Sequence, residues 1–243
     1  MKVCIIHGSP RKGNTYKATS IFMETLRNHG TVEFTEFFLP RDLPHFCLGC
    51  TNCFEYGEER CPHVSYVQPI VESMRDADGI VLTSPVYVLA ASGGMKAFLD
   101  HLGYLFMAHR PMEEMFSKVG MILSTAAGGG TGLTNKNMSR CMRFWGIPKI
   151  YKCGLTIFAG SWETMPINKQ KRYEKALNKK AKQFLNSIER RGKHRTPLFT
   201  RAMFSVMRRM IGSYSDDSAD KVYWQKKGWL EGENLPLDRK SVV

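Results

Sequence analysis

Residues 2–15 read KVCIIHGSPRKGNT. The run from Lys2 to His7 is short, β-branched and nearly all apolar, which is the composition of a parallel strand buried on both faces. Gly8 to Gly13 make a turn. A helical pattern from about Thr15 to His29 follows, with Ile21, Phe22 and Leu26 on one face and Gly30 as a stop signal. Between such a strand and such a helix, backbone N–H groups and the helix dipole converge on an anion. Ser9, Asn14 and Thr15 add short donors, Gly13 admits close backbone approach, and Arg11 and Lys12 add charge. The segment has neither the GxxxxGKS/T spacing of a P-loop nor the GxGxxG spacing of dinucleotide folds. It predicts a cradle for a single terminal phosphate.

The same strand–helix unit recurs along the chain. Strands are expected at 31–39 (TVEFTEFFL), 79–84 (GIVLTS), 118–125 (KVGMILST) and about 150–158 (IYKCGLTIF), and helices near 66–76, 93–103, 132–145 and 168–191. Alternation of this kind predicts an α/β fold, a doubly wound parallel sheet. Five strands suit the flavodoxin-like order 2-1-3-4-5, whose switch point lies between strands 1 and 3. Residues 1–191 are read as this domain, with a cysteine-rich insertion at about 40–63. Residues 192–243 are read as a basic, helical C-terminal extension.

Bulk properties narrow the class. At 243 residues, 43% hydrophobic and 23% charged, the chain can bury one substantial core as an ordinary globular protein. No apolar run approaches the roughly 20 residues that span a bilayer. The apolar run before Gly8 is too short for a secretory signal, so a cytoplasmic location is expected. Seven cysteines, an odd count, argue for thiols or metal ligands and against a closed disulfide framework. The net charge of +13 is concentrated between Lys136 and Arg209, where 19 Lys and Arg face three acids.

Two further loops point to the same sheet edge as the phosphate cradle. After strand 3 comes TSPVYVLAASGGMKAFLDH (83–101), where Pro85 sets the turn and Tyr87 offers an aromatic plane. After strand 4 comes STAAGGGTG (124–132), a Gly-rich loop able to lie against a flat ring. In a parallel sheet all three loops leave the carboxyl edge beside the switch point. One site therefore offers a phosphate cradle and two walls for a planar heterocycle.

GSPRKGNT, SPVYVLAASGGMKAFLDH and STAAGGGTG together resemble the NADPH-dependent FMN reductase family of flavodoxin-like proteins, over roughly residues 1–190. The resemblance implies that Ser9, Arg11, Gly13, Asn14 and Thr15 hold the FMN phosphate. It implies that Pro85, Val86 and Tyr87, with Thr125, Ala126 and Gly129, flank the isoalloxazine. No general acid or base is nominated, because the flavin itself accepts hydride or single electrons.

Cys47, Cys50, Cys53 and Cys61 have the spacing C-x2-C-x2-C-x7-C. A compact triplet lets one loop wrap a [4Fe–4S] cube with a fourth thiolate close by, and Gly49 eases the curl. Four thiolates also suit zinc, and overlapping CxxC pairs suit a redox dithiol. The loop follows strand 2, so it too leaves the carboxyl edge. This arrangement resembles the iron–sulfur flavoproteins, a branch of the same family. The resemblance implies electrons passing between a [4Fe–4S] cluster and FMN in a homodimer or homotetramer, with NAD(P)H or a redox protein as partner. Cys4 and Cys153, inside strands, read as small buried residues, and Cys141 has no evident partner. The seven histidines show no triad or metal spacing, and His7 reads as structural.

In the basic half, 197–211 carries Phe199, Met203, Val206, Met207 and Met210 at helical spacing with Arg201, Arg208 and Arg209. Such a stripe packs on its own domain or a second subunit, or makes peripheral membrane contact. No nucleic-acid motif accompanies the charge. Tyr223, Trp224 and Trp229 are candidates to cover the flavin site or an interface. The leading reading is an FMN-dependent oxidoreductase or electron-transfer flavoprotein with a cluster. Its alternatives are an NAD(P)H-dependent flavin or quinone reductase without one, and a non-enzymatic zinc- and phosphate-binding interaction protein.

Overall fold

The computed structural model describes residues 1–158, 160–191, 193–232 and 235–237. Five parallel strands are β1 (Lys2–His7), β2 (Glu33–Phe38), β3 (Gly79–Tyr87), β4 (Val119–Ala126) and β5 (Lys149–Thr156). They pair in the order β2-β1-β3-β4-β5, the expected 2-1-3-4-5. Register places Ile6 between Phe37 and Leu82, and Leu82 beside Ile122. Every residue of the inner strand β4 is buried, whereas the edge strands β2 and β5 are partly exposed. Continuous apolar runs in the middle and mixed runs at the rim are what a sheet covered on both faces requires.

The pleat sorts the core into two layers. Val3, Ile5, Val81, Met121 and Leu123 point to helices α1 (Asn14–Arg27) and α5 (Ile167–Glu189), meeting Phe22, Leu26, Leu177 and Phe184. Cys4, Ile6, Ile80, Leu82 and Ile122 point the other way. They meet α2 (Val64–Asp76), α3 (Gly93–His101) and α4 (Thr131–Phe144) through Ile70, Met74, Phe98, Met138 and Met142. The outer face of α5 exposes Lys171, Lys175, Lys179 and Lys182, so much of the basic charge is a solvated face.

One element was not anticipated. Ala90 and Ala91 form a two-residue strand antiparallel to the end of β3, pairing Val86 with Ala91 and Tyr87 with Ala90. The turn places Val88 and Leu89 at φ +49° and +62°. Hairpin turns of this kind favour Asn and Gly, so the sequence carries no signal for it.

The extension folds on the sheet domain. Helices α6 (Leu198–Gly212) and α7 (Ala219–Lys226) bury Phe204, Ile211, Trp224 and Trp229 against Met107 and Phe116. The rings of Phe204 and Trp224 stack with centroids 4.7 Å apart. The stripe thus packs on its own domain, one of its expected readings, and the expected cover of the flavin site by the aromatic end is corrected. In the stripe, Phe204 and Ile211 lie deepest, and Phe199 and Val206 are exposed. The aromatic end fills the extension's own core and does not reach the phosphate cleft. Of the extension, residues 192, 233, 234 and 238–243 lie outside the described residues. Among the described residues no helix is long and apolar enough to cross a membrane.

Candidate functional site

The first turn of α1 follows Gly13 and has no side-chain cap, so its N–H groups remain available to an anion. In front of it lies a cleft of about 410 Å³, within the range of small-molecule sites. Ten of the eleven nominated cofactor positions line it: Ser9, Arg11, Gly13, Asn14, Thr15, Pro85, Val86, Tyr87, Thr125 and Ala126. Gly129 does not; a Cβ there would meet nothing within 4 Å. Ala127, Ile157 and Gly160 complete the wall and were not foreseen, because the sequence marks none of them as other than ordinary loop or strand residues. Of the two cations, Arg11 lines the cleft, whereas Lys12 sits over the Tyr16 ring, 5.2 Å from its centroid.

Side chains lock the three loops together. Thr15 Oγ1 and Thr125 Oγ1 are 2.6 Å apart, joining the phosphate loop to the end of β4. The Ser92 hydroxyl donates to the Gly8 carbonyl and accepts the Met95 N–H at 3.3 Å, so the N-cap of α3 also ties down the first loop. Gly130 has φ +93°, and a Cβ there would lie 2.8 Å from Val86 Cγ1 and 3.1 Å from Leu89 Cα. The Gly-rich loop therefore packs directly on the hairpin.

His7 is structural, buried beside this cleft. With Glu36 as a carboxylate, Nε2–H donates to Oε2 at 2.9 Å, and Nδ1 accepts from the Thr83 hydroxyl at 3.2 Å. Burial holds its pKa below the ordinary 6.5, and Glu36 partly opposes that. Unfolded His7 then binds a proton near pH 6.5 that the folded side chain refuses. Its contribution to stability is therefore present above pH 6.5 and declines as the pH falls below it. Denaturant unfolding at pH 7 and pH 5.5 is expected to show a smaller loss of stability for His7→Asn than for the unsubstituted chain.

A second cavity, of about 60 Å³, is lined by Cys47, Cys50, Cys53 and Cys61. The loop reaches this shape through two left-handed residues, Gly49 at φ +63° as expected and Thr51 at φ +61°. Burial pushes the Cys53 thiol up to about 11, aided by the neighbouring sulfurs of Cys61 and Cys47 and opposed by Arg110. Four soft donors converging in this way fit a thiolate-bound metal or cluster. Cys4 and Cys153 are buried in strands and belong to no such group.

Histidines join the cysteine pocket, contrary to the sequence reading. Cys61 Sγ and one ring nitrogen from each of His63 and His101 lie within 4.8 Å of one another. His101 Nδ1–H donates to the Ala97 carbonyl at 2.8 Å, so its Nε2 accepts from His63 Nδ1–H at 2.9 Å. His45 stacks on His63 with centroids 4.5 Å apart. His63 stands two residues after Cys61, a faint signal; His101, at the end of α3, had none.

Comparison with known proteins places this geometry. The family model for NADPH-dependent FMN reductase matches residues 1–150. The chain belongs to the NADPH-dependent FMN reductase family. An iron–sulfur flavoprotein of Archaeoglobus fulgidus is 31% identical over 163 residues, 66% of this chain and 71% of that protein. An iron–sulfur flavoprotein of Clostridioides difficile is 28% identical over 193 residues, 78% of this chain and 80% of that protein. An FMN-dependent NADH-azoreductase from Bacillus anthracis, solved with FMN, shares the fold at 12% identity. Its TM-score is 0.60, covering 76% of this chain and all of that one. As a member of the FMN reductase family, the chain is an FMN-dependent oxidoreductase with a flavodoxin-like fold.

Proposed function

We propose that this reductase-family member passes electrons between a [4Fe–4S] cluster and FMN. The observation that carries the reading is the convergence of Cys47, Cys50, Cys53 and Cys61 on one cavity at the sheet edge that also bears the cleft. Bound flavin supplies hydride and single-electron chemistry, and a bound cluster supplies single-electron chemistry. The chain holds, orients and screens these groups.

Ser9, Arg11, Gly13, Asn14 and Thr15 hold the phosphate through the uncapped N–H groups of α1, short hydroxyl and amide donors and one guanidinium. Pro85, Val86 and Tyr87 form one wall for the ring; Thr125, Ala126 and Ala127 form the other. Cys47, Cys50, Cys53 and Cys61 ligate the cluster. Helix α3 links the two sites. Its N-cap, Ser92, is bonded to Gly8, and it ends at His101, in the wall of the cysteine pocket. Its nine residues make a spacer of roughly 13 Å at 1.5 Å per residue.

NAD(P)H or a redox protein delivers electrons, and the assembly is a homodimer or homotetramer. Val88 and Leu89 at the hairpin tip, 98% and 64% exposed, and Phe46 and Leu48 in the cysteine loop offer apolar surface at the same edge for a second copy. The flavodoxin-like domain takes residues 1–191 and the extension 192–243.

The test is purification without oxygen, with iron, acid-labile sulfide, zinc and flavin measured per chain. About four irons and four sulfides are expected from the cluster stoichiometry, with FMN as the flavin. Cys50→Ala is expected to remove iron, sulfide and the broad absorbance that dithionite bleaches, while flavin stays bound. Flavin alone, or flavin with zinc, would move the reading to a reductase without a cluster.

A further inference from the structure

Arg110 is 5% exposed, and its guanidinium serves three acceptors, two in the cysteine loop and one in the C-terminal extension. Nη2 donates to the carbonyl of Cys53, Nη1 to Asp220 Oδ1, and Nε to Glu58 Oε2 at 3.3 Å. Asp220 is 6% exposed, and its second oxygen accepts from His109 Nδ1–H at 2.8 Å. Asp220 opens α7, outside the family match, and the same face of α7 makes two more bonds to this strip. Tyr223 Oη donates to the Pro111 carbonyl at 2.7 Å, and Trp224 Nε1 to the His109 carbonyl at 2.5 Å. His109 in turn packs its ring on Phe54, with centroids 4.4 Å apart. Consecutive residues of the cysteine loop, 53 and 54, are thus gripped by consecutive residues 110 and 109, and α7 grips both.

The extension does not need this ion pair in order to dock. Its own aromatic core already buries Phe204, Trp224 and Trp229 against Phe116 and Met107. A buried pair recovers little net stability over an apolar substitute, because both charges must be stripped of water. What a planar, five-donor fork does supply is fixed geometry among acceptors that would otherwise move independently. The acceptor it fixes in the cysteine loop is the backbone of one of the four cysteines.

We propose that the C-terminal extension is a clamp on the cysteine loop, in which Asp220 fixes the Arg110 guanidinium and Arg110 holds the Cys53 carbonyl. Arg110 and Asp220 are positioning residues: they hold Cys53 where its thiol meets those of Cys47, Cys50 and Cys61. The consequence for a cluster rests on the reading above; the clamp itself does not.

The experiment compares the full chain with Asp220→Asn and Arg110→Lys, all purified without oxygen. It follows iron release to a ferrous chelator, the midpoint potential of the cluster, FMN affinity and amide hydrogen exchange of residues 47–61. Asp220→Asn removes the charge that pins the fork. Arg110→Lys keeps the positive charge but cannot reach three acceptors at once. Both are expected to release iron about tenfold faster, equivalent to ~1.4 kcal/mol. Both should also shift the potential and leave FMN affinity within about twofold. Trp229→Phe, which loosens the extension's core without touching the loop, is expected to release iron as the unsubstituted chain does.

Unchanged release and unchanged loop exchange in both variants would overturn the clamp. So would acceleration by Trp229→Phe equal to that of Asp220→Asn, since general loosening would then suffice. If Asp220→Asn does not fold, Glu58→Gln takes its place. It alters the half-exposed third partner of the same guanidinium and is expected to speed release by a smaller factor. If the unsubstituted chain carries no iron, the cluster reading fails, and loop exchange alone decides the clamp: faster exchange in the variants supports it, and equal exchange overturns it.

Discussion

Thr15→Asp is expected to weaken FMN binding by about 100-fold or more while leaving the fold intact. Thr15 lines the cleft within the first turn of α1, where the phosphate is proposed to sit, and its hydroxyl is 2.6 Å from that of Thr125. A carboxylate about 4 Å from a phosphate charge, at an effective dielectric constant near 20, is repelled by about 4 kcal/mol. Even two thirds of that is a factor of ~100 in affinity. The fold should tolerate the change, because an acidic residue in the first turn complements the helix dipole. Thr15→Ser, which keeps the hydroxyl, is the control and should bind within a few-fold of the unsubstituted chain. Titration of the apoprotein, followed by quenching of flavin fluorescence, measures both. Thr15→Asp binding FMN as tightly as the unsubstituted chain would place the phosphate elsewhere.

Phe184→Ala is expected to cost about 3–5 kcal/mol of stability, the range for truncating a fully buried aromatic. Phe184 is fully buried, 5.5 Å from the Phe22 ring, and its edge covers Gly79, where an added Cβ would lie 2.5 Å from Cζ. The ring therefore joins α5, α1 and the start of β3 at one point. Gly79 has no side chain to refill the space. Only the end of Ile188, whose Cδ1 lies 2.8 Å from the same position, is close enough to lean in, so much of the cavity term should remain. For a chain of this size the melting temperature should fall by roughly 10 °C. Denaturant unfolding of the FMN-loaded protein checks it. A loss under about 1 kcal/mol would mean that the two helices and the sheet re-pack around the gap.

Much of the architecture was legible because its signals are short-range. A buried parallel strand announces itself by six consecutive residues, as KVCIIH does, and a phosphate cradle by the turn that follows. Five alternating strands suit the flavodoxin-like order that the sheet adopts, since right-handed crossovers leave few topologies for five parallel strands. Four cysteines within 15 residues converge on one cavity because a single loop carries them all. The hairpin at Val88 and Leu89 was illegible for a local reason: both residues adopt backbone angles that their side chains disfavour. The family resemblance implies Gly129 beside the ring, yet Ala127, two residues nearer β4, is the one in the wall.

Periodicity and loop chemistry thus determined, without coordinates, the α/β sheet and the cysteine set, and the family resemblance of the three loops supplied the cleft's ten wall residues. Tertiary structure alone decided which distant groups join them. His101 meets His63 across 38 positions, and Asp220 meets Arg110 across 110. No local pattern marks such pairs, because each depends on how α3 and α7 dock. Docking is a sum of many small packing terms spread over the whole core.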